Sequence, residues 1–257
     1  KVEQPVNKND ETVKAAKAPA KKKAPAVKPA PEINAKSAPE GPAEVKANIK
    51  ENAEETVPTV TVVPKRKILF VASEATPFIA TGGLAEVIGS LSKALAANED
   101  YDVRVVIPLY SDISWEYRSK FRYLGNIFVP LAWRNQYCGI FSYESGGVTF
   151  YFIDNEYYFK RPGCYGYYDA GERFAFFCRS GMELMPFLNF YPDVMHCHDW
   201  QAALAAIYLK TIYCFRPEYQ FIRSLFTIHN IEYQGKYSLD ILEDLFGISN
   251  SWKYLLE

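Results

Sequence analysis

The chain has 257 residues, 49% hydrophobic and 16% aromatic, which is enough to bury at least one sizeable core. Its formal net charge of -1 gives no electrostatic basis for binding nucleic acid, and no stretch reaches the roughly 18 apolar residues of a membrane-spanning helix, so neither nucleic acid nor membrane is expected as a partner. Five cysteines without a CxxC pair favour a reducing, cytoplasmic compartment.

Residues 1–64 consist almost wholly of Ala, Pro, Lys, Glu and Val, and the first aromatic residue is Phe70. Such a segment buries too little apolar surface to offset the entropy of ordering it, so we predict a disordered tail or linker. A transit peptide would be rich in Arg and Ser and poor in acids, whereas this segment has no Arg and many Glu. The chain starts at Lys1 and ends in a helix-like run at Glu257, and we expect that both ends are cut.

From residue 65 onward the pattern is that of an α/β domain. Apolar runs at 68–72 and 103–108 predict buried parallel strands, and helical spacing over 84–97 predicts the crossover helix between them. Apolar and aromatic segments within 115–155 predict inserted β-hairpins, with 148–153 as the clearest strand. Strands at 193–196 and 224–228 flank a helix at 201–213. The fold class is therefore α/β, a Rossmann-like doubly wound parallel sheet.

The turn between the first strand and its helix contains Gly82 and Gly83. Paired glycines let the backbone approach a ligand closely and adopt positive φ, and the start of a helix favours phosphate. The alternative is a tight turn without a ligand, since the sequence is neither GxGxxG nor a P-loop with its lysine. The position at the carboxyl end of a strand, where open α/β sheets bind ligands, favours the site.

A segment dense in tyrosine and glycine spans residues 157–168. Aromatic faces pack against sugar rings and phenol groups supply hydrogen bonds, which suits the rim of a carbohydrate groove. For any single tyrosine, a well-packed loop is the alternative.

Retaining glycosidases use two neighbouring carboxylates, but no spacing among Asp154, Asp169 and Glu172 identifies such a pair. Glu172 fits equally well as an acid near a helix start, where it favours the helix dipole.

All three histidines lie near predicted strand ends, at His196, His198 and His229. The run 196–199 combines three types of metal ligand, but successive strand side chains point to opposite faces and zinc ligands are usually spaced further apart, so no metal is expected. Structural roles remain open: His196 as a hydrogen-bonded core residue, Asp199 as the N-cap of the next helix, and His229 as a turn residue.

The motifs at 67–74 and 81–87 resemble the N-terminal signature of bacterial glycogen synthases and plant starch synthases. The resemblance continues in the family's order through 161–166, 172–175, 196–200 and 227–235, and it covers 67 to about 250. It implies a two-domain GT-B glycosyltransferase in which residues 65–257 form the N-terminal catalytic lobe. The C-terminal lobe, with the family's essential glutamate, is absent, so we expect the isolated chain to be inactive.

The resemblance implies retaining transfer of glucose from ADP-glucose to the non-reducing end of an α-1,4-glucan, either glycogen or starch. No metal or cofactor is implied, because basic residues stabilise the leaving diphosphate in this family. The location implied is the bacterial cytoplasm, or a plastid for a plant protein. A glucan-binding or regulatory pseudoenzyme is the alternative function, and a metal-dependent hydrolase built on the histidines is disfavoured.

The resemblance places His198 beside the transferred glucose, which makes it the catalytic candidate. His229 and Asn230 follow the next strand and are expected to face the same cleft. The donor-binding candidates are Thr81, Gly82, Gly83, Glu86, His229 and Asn230. The candidates for the acceptor site or cleft rim are Glu74, Tyr165, Tyr167, Asp169 and Gln234.

Ala80 departs from the family pattern, which usually reads Lys-x-Gly-Gly-Leu with the lysine on the donor phosphates. Loss of a charged hydrogen bond of about 1.5–3 kcal/mol should weaken donor binding. Either basic residues of the other lobe compensate, or the protein is a weak or altered enzyme. We favour compensation, because the backbone amides of Gly82 and Gly83 are retained. Glu86 stands where the family more often has Asp.

Overall fold

The computed structural model describes residues 64–255, so the predicted tail lies outside the described residues except for its last member, Pro64. After the last strand the chain forms short helical turns over 239–241, 242–246 and 250–255. The main elements, in chain order, are β1 (Arg66–Val71), α1 (Gly83–Ala96), β2 (Tyr101–Pro108), α2 (Trp115–Arg118), β3 (Arg122–Leu131), β4 (Arg134–Ser145), β5 (Val148–Asp154), α3 (Glu156–Phe159), α4 (Ala170–Leu188), β6 (Val194–His198), α5 (Trp200–Thr211) and β7 (Arg223–Thr227).

The strands form one seven-stranded sheet in the order β3-β4-β5-β2-β1-β6-β7. The strands from β5 to β7 in this order pair in parallel. The predicted parallel α/β sheet is confirmed, and β1 lies inside it between β2 and β6. Leu69, Phe70 and Val71 are buried, as expected for a strand covered on both faces.

The predicted hairpin region is an antiparallel meander of β3, β4 and β5. It lies at one edge of the sheet, and β5 joins it to the parallel part by pairing with β2. The connection from β4 to β5 consists of Gly146 and Gly147, both at positive φ, 60° and 78°. A two-residue hairpin turn with positive φ at both positions strongly favours glycine, which explains the pair.

Phe78 anchors the loop between β1 and α1. Its ring is buried and makes edge contacts with the rings of Phe150 and Phe152 on β5, at 4.9 and 5.0 Å between centroids. The loop that carries the glycine turn is therefore held to the core just before the turn begins.

All five cysteines are free, and all but Cys214 are buried. Burial raises the pKa of the thiols of Cys138 and Cys197 to about 12, so these thiols stay protonated and unreactive. None of the helices among residues 64–255 is long and apolar enough to cross a membrane.

Helix α1 packs closely against the loop that precedes it at Gly89. A Cβ at this position would lie 2.1 Å from Thr76 Oγ1 and 2.7 Å from the Thr76 carbonyl oxygen. The Thr76 amide is itself held by the Ala85 carbonyl oxygen at 3.1 Å, so the backbone cannot move aside freely. A Cβ at Gly83, in the same helix, would meet nothing within 4 Å.

We predict that Gly89→Ala lowers the free energy of unfolding by about 1–3 kcal/mol, because the added methyl group overlaps the hydroxyl and carbonyl oxygens of Thr76. Gly83→Ala is the matched control and should leave stability unchanged or slightly higher, since alanine favours the helix. Urea denaturation of the two variants measures the difference. Equal stability would contradict the close packing of α1 on Thr76.

Candidate active site

The candidate site lies where β1, β6 and β7 end. These strands are parallel neighbours, so their carboxyl ends meet at one edge of the sheet. Glu74 follows β1, His198 ends β6, and His229 follows β7. The structure thus brings together residues that are widely separated in the sequence.

His198 and His229 form a hydrogen-bonded pair. Nδ1 of His198 lies 2.9 Å from Nε2 of His229, and the two rings stack with centroids 5.2 Å apart. His198 is fully buried, whereas His229 is partly exposed. The prediction that these two residues share a site is consistent with this contact.

His196 lies on the same face of β6 as His198, since side chains repeat every second residue in a strand, and the rings are 3.9 Å apart. Its Nε2 lies 2.8 Å from the Thr227 hydroxyl oxygen. The interpretation of His196 as a hydrogen-bonded core histidine is confirmed. Cys197 is buried on the opposite face, and its side chain does not join the histidines.

The second ring nitrogen of His198, Nε2, is buried and has no hydrogen-bond partner among residues 64–255. Buried polar atoms normally have a partner, so this nitrogen is available to a ligand. Burial, followed by the neighbouring rings of His196 and His229, lowers the pKa of His198 to about 3. The ring is therefore uncharged at physiological pH.

Asp199 fixes the backbone of His229. Its Oδ1 accepts a hydrogen bond from the His229 amide at 2.6 Å, and its own amide donates to the Thr227 carbonyl oxygen at 2.9 Å. Asp199 occupies the N-cap position of α5, as predicted, but its side chain does not cap the helix. The capping role is wrong because the carboxylate bonds instead to the amide of His229, which follows β7. These bonds hold Asp199 at a φ of 56°, which is uncommon outside glycine.

The backbone of the glycine turn does not use the positive φ that glycine permits. Gly82 is extended, with φ and ψ both -165°, and Gly83 begins α1. A Cβ on either residue would meet nothing within 4 Å, so the absent side chains leave open space in front of the turn. The first N–H groups of α1 have no partner inside the helix. Ala80 and Glu86 are exposed on either side of the turn.

Glu74 fixes the backbone of the glycine turn through hydrogen bonds to Thr81. The residue is only 3% exposed, and its Oε2 accepts the Thr81 amide at 2.5 Å. Its Oε1 accepts the hydroxyl groups of Thr81 at 3.1 Å and of Tyr165 at 3.2 Å. Glu74 and Tyr165 therefore support the turn from inside the protein, and any effect on a ligand would be transmitted through Thr81.

Ion pairs and cation–π contacts hold the loop over 161–169. Arg161 Nη1 lies 2.8 Å from Asp169 Oδ1. This ion pair occupies one carboxylate oxygen of Asp169, a candidate for the cleft rim. The ring of Tyr167 lies 4.6 Å from the guanidinium of Arg173, and its hydroxyl donates to the Pro162 carbonyl oxygen. Both side chains are thus engaged within the loop.

Two residues of this region were missed by reasoning from the sequence. Arg173 is fully buried and donates to the carbonyl oxygens of Tyr158 at 2.8 Å and Cys164 at 3.2 Å, which fixes the path of the loop. Tyr168 is 94% exposed at the end of the loop, where it can meet a ligand. The tyrosine-rich composition predicted a rim, but nothing in it separates an exposed tyrosine from its buried neighbours.

Asn230 and Gln234 lie in the exposed segment after β7. Asn230 Oδ1 accepts the Glu232 amide at 3.0 Å, and Gln234 Nε2 donates to the Ile231 carbonyl oxygen at 2.8 Å. Gln234 also lines a cavity of about 530 Å³ between α4, α5 and the segment after β7, together with Trp200. No hydrogen bond among the described residues joins these two side chains to the histidine pair.

Comparison with known families decides the assignment. The starch synthase catalytic domain family matches residues 67–256, and this match contains the glycine turn and both histidines of the pair. The chain belongs to this family.

Two bacterial glycogen synthases are among the curated relatives of this chain. That of Lactobacillus acidophilus is 49% identical over 186 residues, covering 72% of this chain and 39% of the relative. That of Desulforamulus reducens is 50% identical over 186 residues, covering 72% of this chain and 38% of the relative. The chain thus spans about two fifths of the length of the curated relatives it matches.

A solved structure shares the fold of this chain. The catalytic domain of starch synthase IV from Arabidopsis thaliana, bound to ADP and acarbose, matches with a TM-score of 0.63 at 28% identity. The match covers 70% of this chain and 37% of that one. The seven-stranded α/β sheet is thus that of the GT-B glycosyltransferase catalytic domain, as the sequence predicted.

We predict that the free energy of unfolding decreases as the pH falls below 6.5, because of His198. The pKa of this side chain is about 3 in the folded protein and near 6.5 when unfolded, so the unfolded state binds more protons between these values. Stability is therefore lost as the pH falls, with a slope of up to about 1.4 kcal/mol per pH unit.

His198→Asn should flatten this dependence. Urea denaturation of the protein and of the variant at pH 7.5, 6.5 and 5.5 measures both slopes. A variant that loses stability as steeply as the parent protein over this range would contradict a buried, uncharged His198.

Proposed function

We propose that this protein transfers glucose from ADP-glucose to the non-reducing end of an α-1,4-glucan, with retention of configuration at the anomeric carbon. The observation that carries the proposal is the buried, unpartnered Nε2 of His198 at the same sheet edge as the open Gly82–Gly83 turn. Family membership supports glucosyl transfer in glycogen synthesis, and the features of the site below support the finer statements.

The glycine turn is proposed to hold the diphosphate of the donor. The N–H groups at the start of α1 and the positive end of its helix dipole both favour an anion. The open space in front of Gly82 and Gly83 lets phosphate oxygens approach the backbone. The Arabidopsis starch synthase IV structure, bound to ADP and acarbose, supports an adenine nucleotide and an oligosaccharide as the ligands.

His198 is proposed to bind a hydroxyl of the transferred glucose through Nε2. The transition state of glucosyl transfer carries positive charge near the anomeric carbon, so a charged imidazolium there would oppose the reaction. The low pKa of His198, about 3, keeps the ring uncharged and removes this repulsion. His229 orients the ring through Nδ1, and Asp199 in turn orients His229.

The proposed reaction uses no cofactor, because basic residues of the family's second lobe take the place of a metal ion beside the leaving diphosphate. The proposed partners are ADP-glucose and a glycogen or starch primer. A cytoplasmic location is proposed on the basis of the free cysteines and the bacterial relatives.

The proposal predicts that the full-length protein incorporates labelled glucose from ADP-glucose into glycogen, with the same rate in the presence of a chelator. His198→Asn should lower kcat by about 10²–10³, the usual cost of removing a hydrogen bond made in the transition state. His196→Asn is the matched control, because His196 bonds to Thr227 and should change kcat only slightly.

The other outcomes identify the alternatives. Glycogen binding without transfer would support the pseudoenzyme, and activity abolished by the chelator would support a metal-dependent enzyme. Equal loss of kcat in both histidine variants would show that the effect is structural and would remove His198 from the proposed role.

The exposed position of Ala80 beside the turn allows a separate test of where the diphosphate binds. We predict that Ala80→Lys tightens ADP binding to the full-length protein about tenfold, since a charged hydrogen bond contributes about 1.5–3 kcal/mol. Ala80→Met adds similar length without charge and should leave the affinity unchanged. Isothermal titration calorimetry measures both, and equal affinities for the two variants would place the diphosphate elsewhere.

A further inference from the structure

Two separate loops of the candidate site meet at one phenol group. The hydroxyl of Tyr165, on the loop over 161–169, donates to Glu74 Oε1 at 3.2 Å and shares a hydrogen bond of 2.7 Å with the Ser73 hydroxyl. Both partners belong to the segment that follows β1. Tyr165 is thus a direct side-chain link between the proposed acceptor rim and the loop that carries the glycine turn.

Glu74 extends this link to the glycine turn. The same Oε1 atom that accepts from Tyr165 also accepts the Thr81 hydroxyl, and Oε2 accepts the Thr81 amide. Thr81 directly precedes Gly82. A change in the position of the Tyr165 hydroxyl therefore changes the carboxylate that sets the backbone of the turn.

The link is partly buried, and its phenol remains protonated. Burial, followed by the negative charge of Glu74, raises the pKa of the Tyr165 phenol. The phenol therefore keeps the proton that it donates to the Glu74 carboxylate.

The other end of the link is open to ligands. Tyr168 is 94% exposed three residues beyond Tyr165, and a Cβ on Gly163 or Gly166 would meet nothing within 4 Å. The loop is fastened behind this surface by Arg161 and Arg173. A sugar bound to the open side would therefore restrict the loop as one unit, including Tyr165.

We propose that Tyr165 is a positioning residue that couples the two ligand sites, so that a glucan on the 161–169 loop tightens nucleotide binding at the Gly82–Gly83 turn. The inference rests on the proposed function, because it takes the loop as the acceptor rim and the turn as the donor site. Coupling between two binding sites is reciprocal, so the nucleotide tightens glucan binding by the same factor.

The test measures the dissociation constant of ADP from the full-length protein with and without saturating maltopentaose. We expect maltopentaose to tighten ADP binding about fivefold or more, the usual lower range of such coupling. In Tyr165→Phe, which removes only the hydroxyl, the ratio of the two constants should fall to near one. Glu74→Gln is a second variant that weakens the same link, because the amide nitrogen that replaces one oxygen cannot accept a hydrogen bond, and it should lower the ratio likewise.

Tyr158→Phe is the matched control. It also removes a hydrogen bond from a buried phenol to a glutamate, Glu172, but this bond does not reach the turn. The control should keep the ratio of the parent protein, whereas a merely structural role for Tyr165 would move both variants together. A ratio near one in the parent protein, or an unchanged ratio in Tyr165→Phe, overturns the coupling. Failure of the parent protein to bind either ligand would instead overturn the proposed function.

Discussion

The parallel pairing of β1 with β6 and of β6 with β7 is the constraint on which the site depends. Parallel strands end at the same edge, so the residues that follow each strand are forced together whatever their separation in the chain. His198 and His229 are 31 positions apart, and Glu74 and Tyr165 are 91 apart, yet both pairs are in hydrogen-bond contact. Tyr165 belongs to the loop that follows β5 and α3, and β5 joins the meander to the parallel part of the sheet by pairing with β2.

Burial then decides the chemistry of the groups that this edge collects. Burial of His198 disfavours its charged form. In the neutral ring, Nδ1 is hydrogen-bonded to His229, and Nε2 has no partner among the described residues. Burial of Glu74 is tolerated because its carboxylate accepts three hydrogen bonds, from the Thr81 amide, the Thr81 hydroxyl and the Tyr165 hydroxyl. Polar groups are thus buried here only where they position a neighbour or remain available to a ligand.

The candidate site is held in place by buried side chains. Asp199 sets the His229 backbone, Glu74 sets the turn, and Arg173 sets the loop over 161–169. This arrangement explains how the turn keeps its form with Ala80 in place of the family's usual lysine. The lysine would contribute charge towards a ligand, whereas the shape of the turn comes from Glu74 and from the packing of Phe78.

The sequence by itself determined the parallel sheet and the family, because these follow from periodicity and from local motifs. It predicted the bounds of β1, β2, β5, β6, β7, α1 and α5 to within two or three residues, but it set no bounds for β3, β4 or α4. It also placed the candidate residues at the ends of the correct strands. Only the tertiary structure decided what their side chains do. The Asp199 carboxylate bonds to His229 instead of capping α5, Gly82 is extended, and Tyr165 turns inward while Tyr168 turns outward. The physical reason is that each of these choices depends on partners or on burial supplied by other parts of the chain, which no local pattern records.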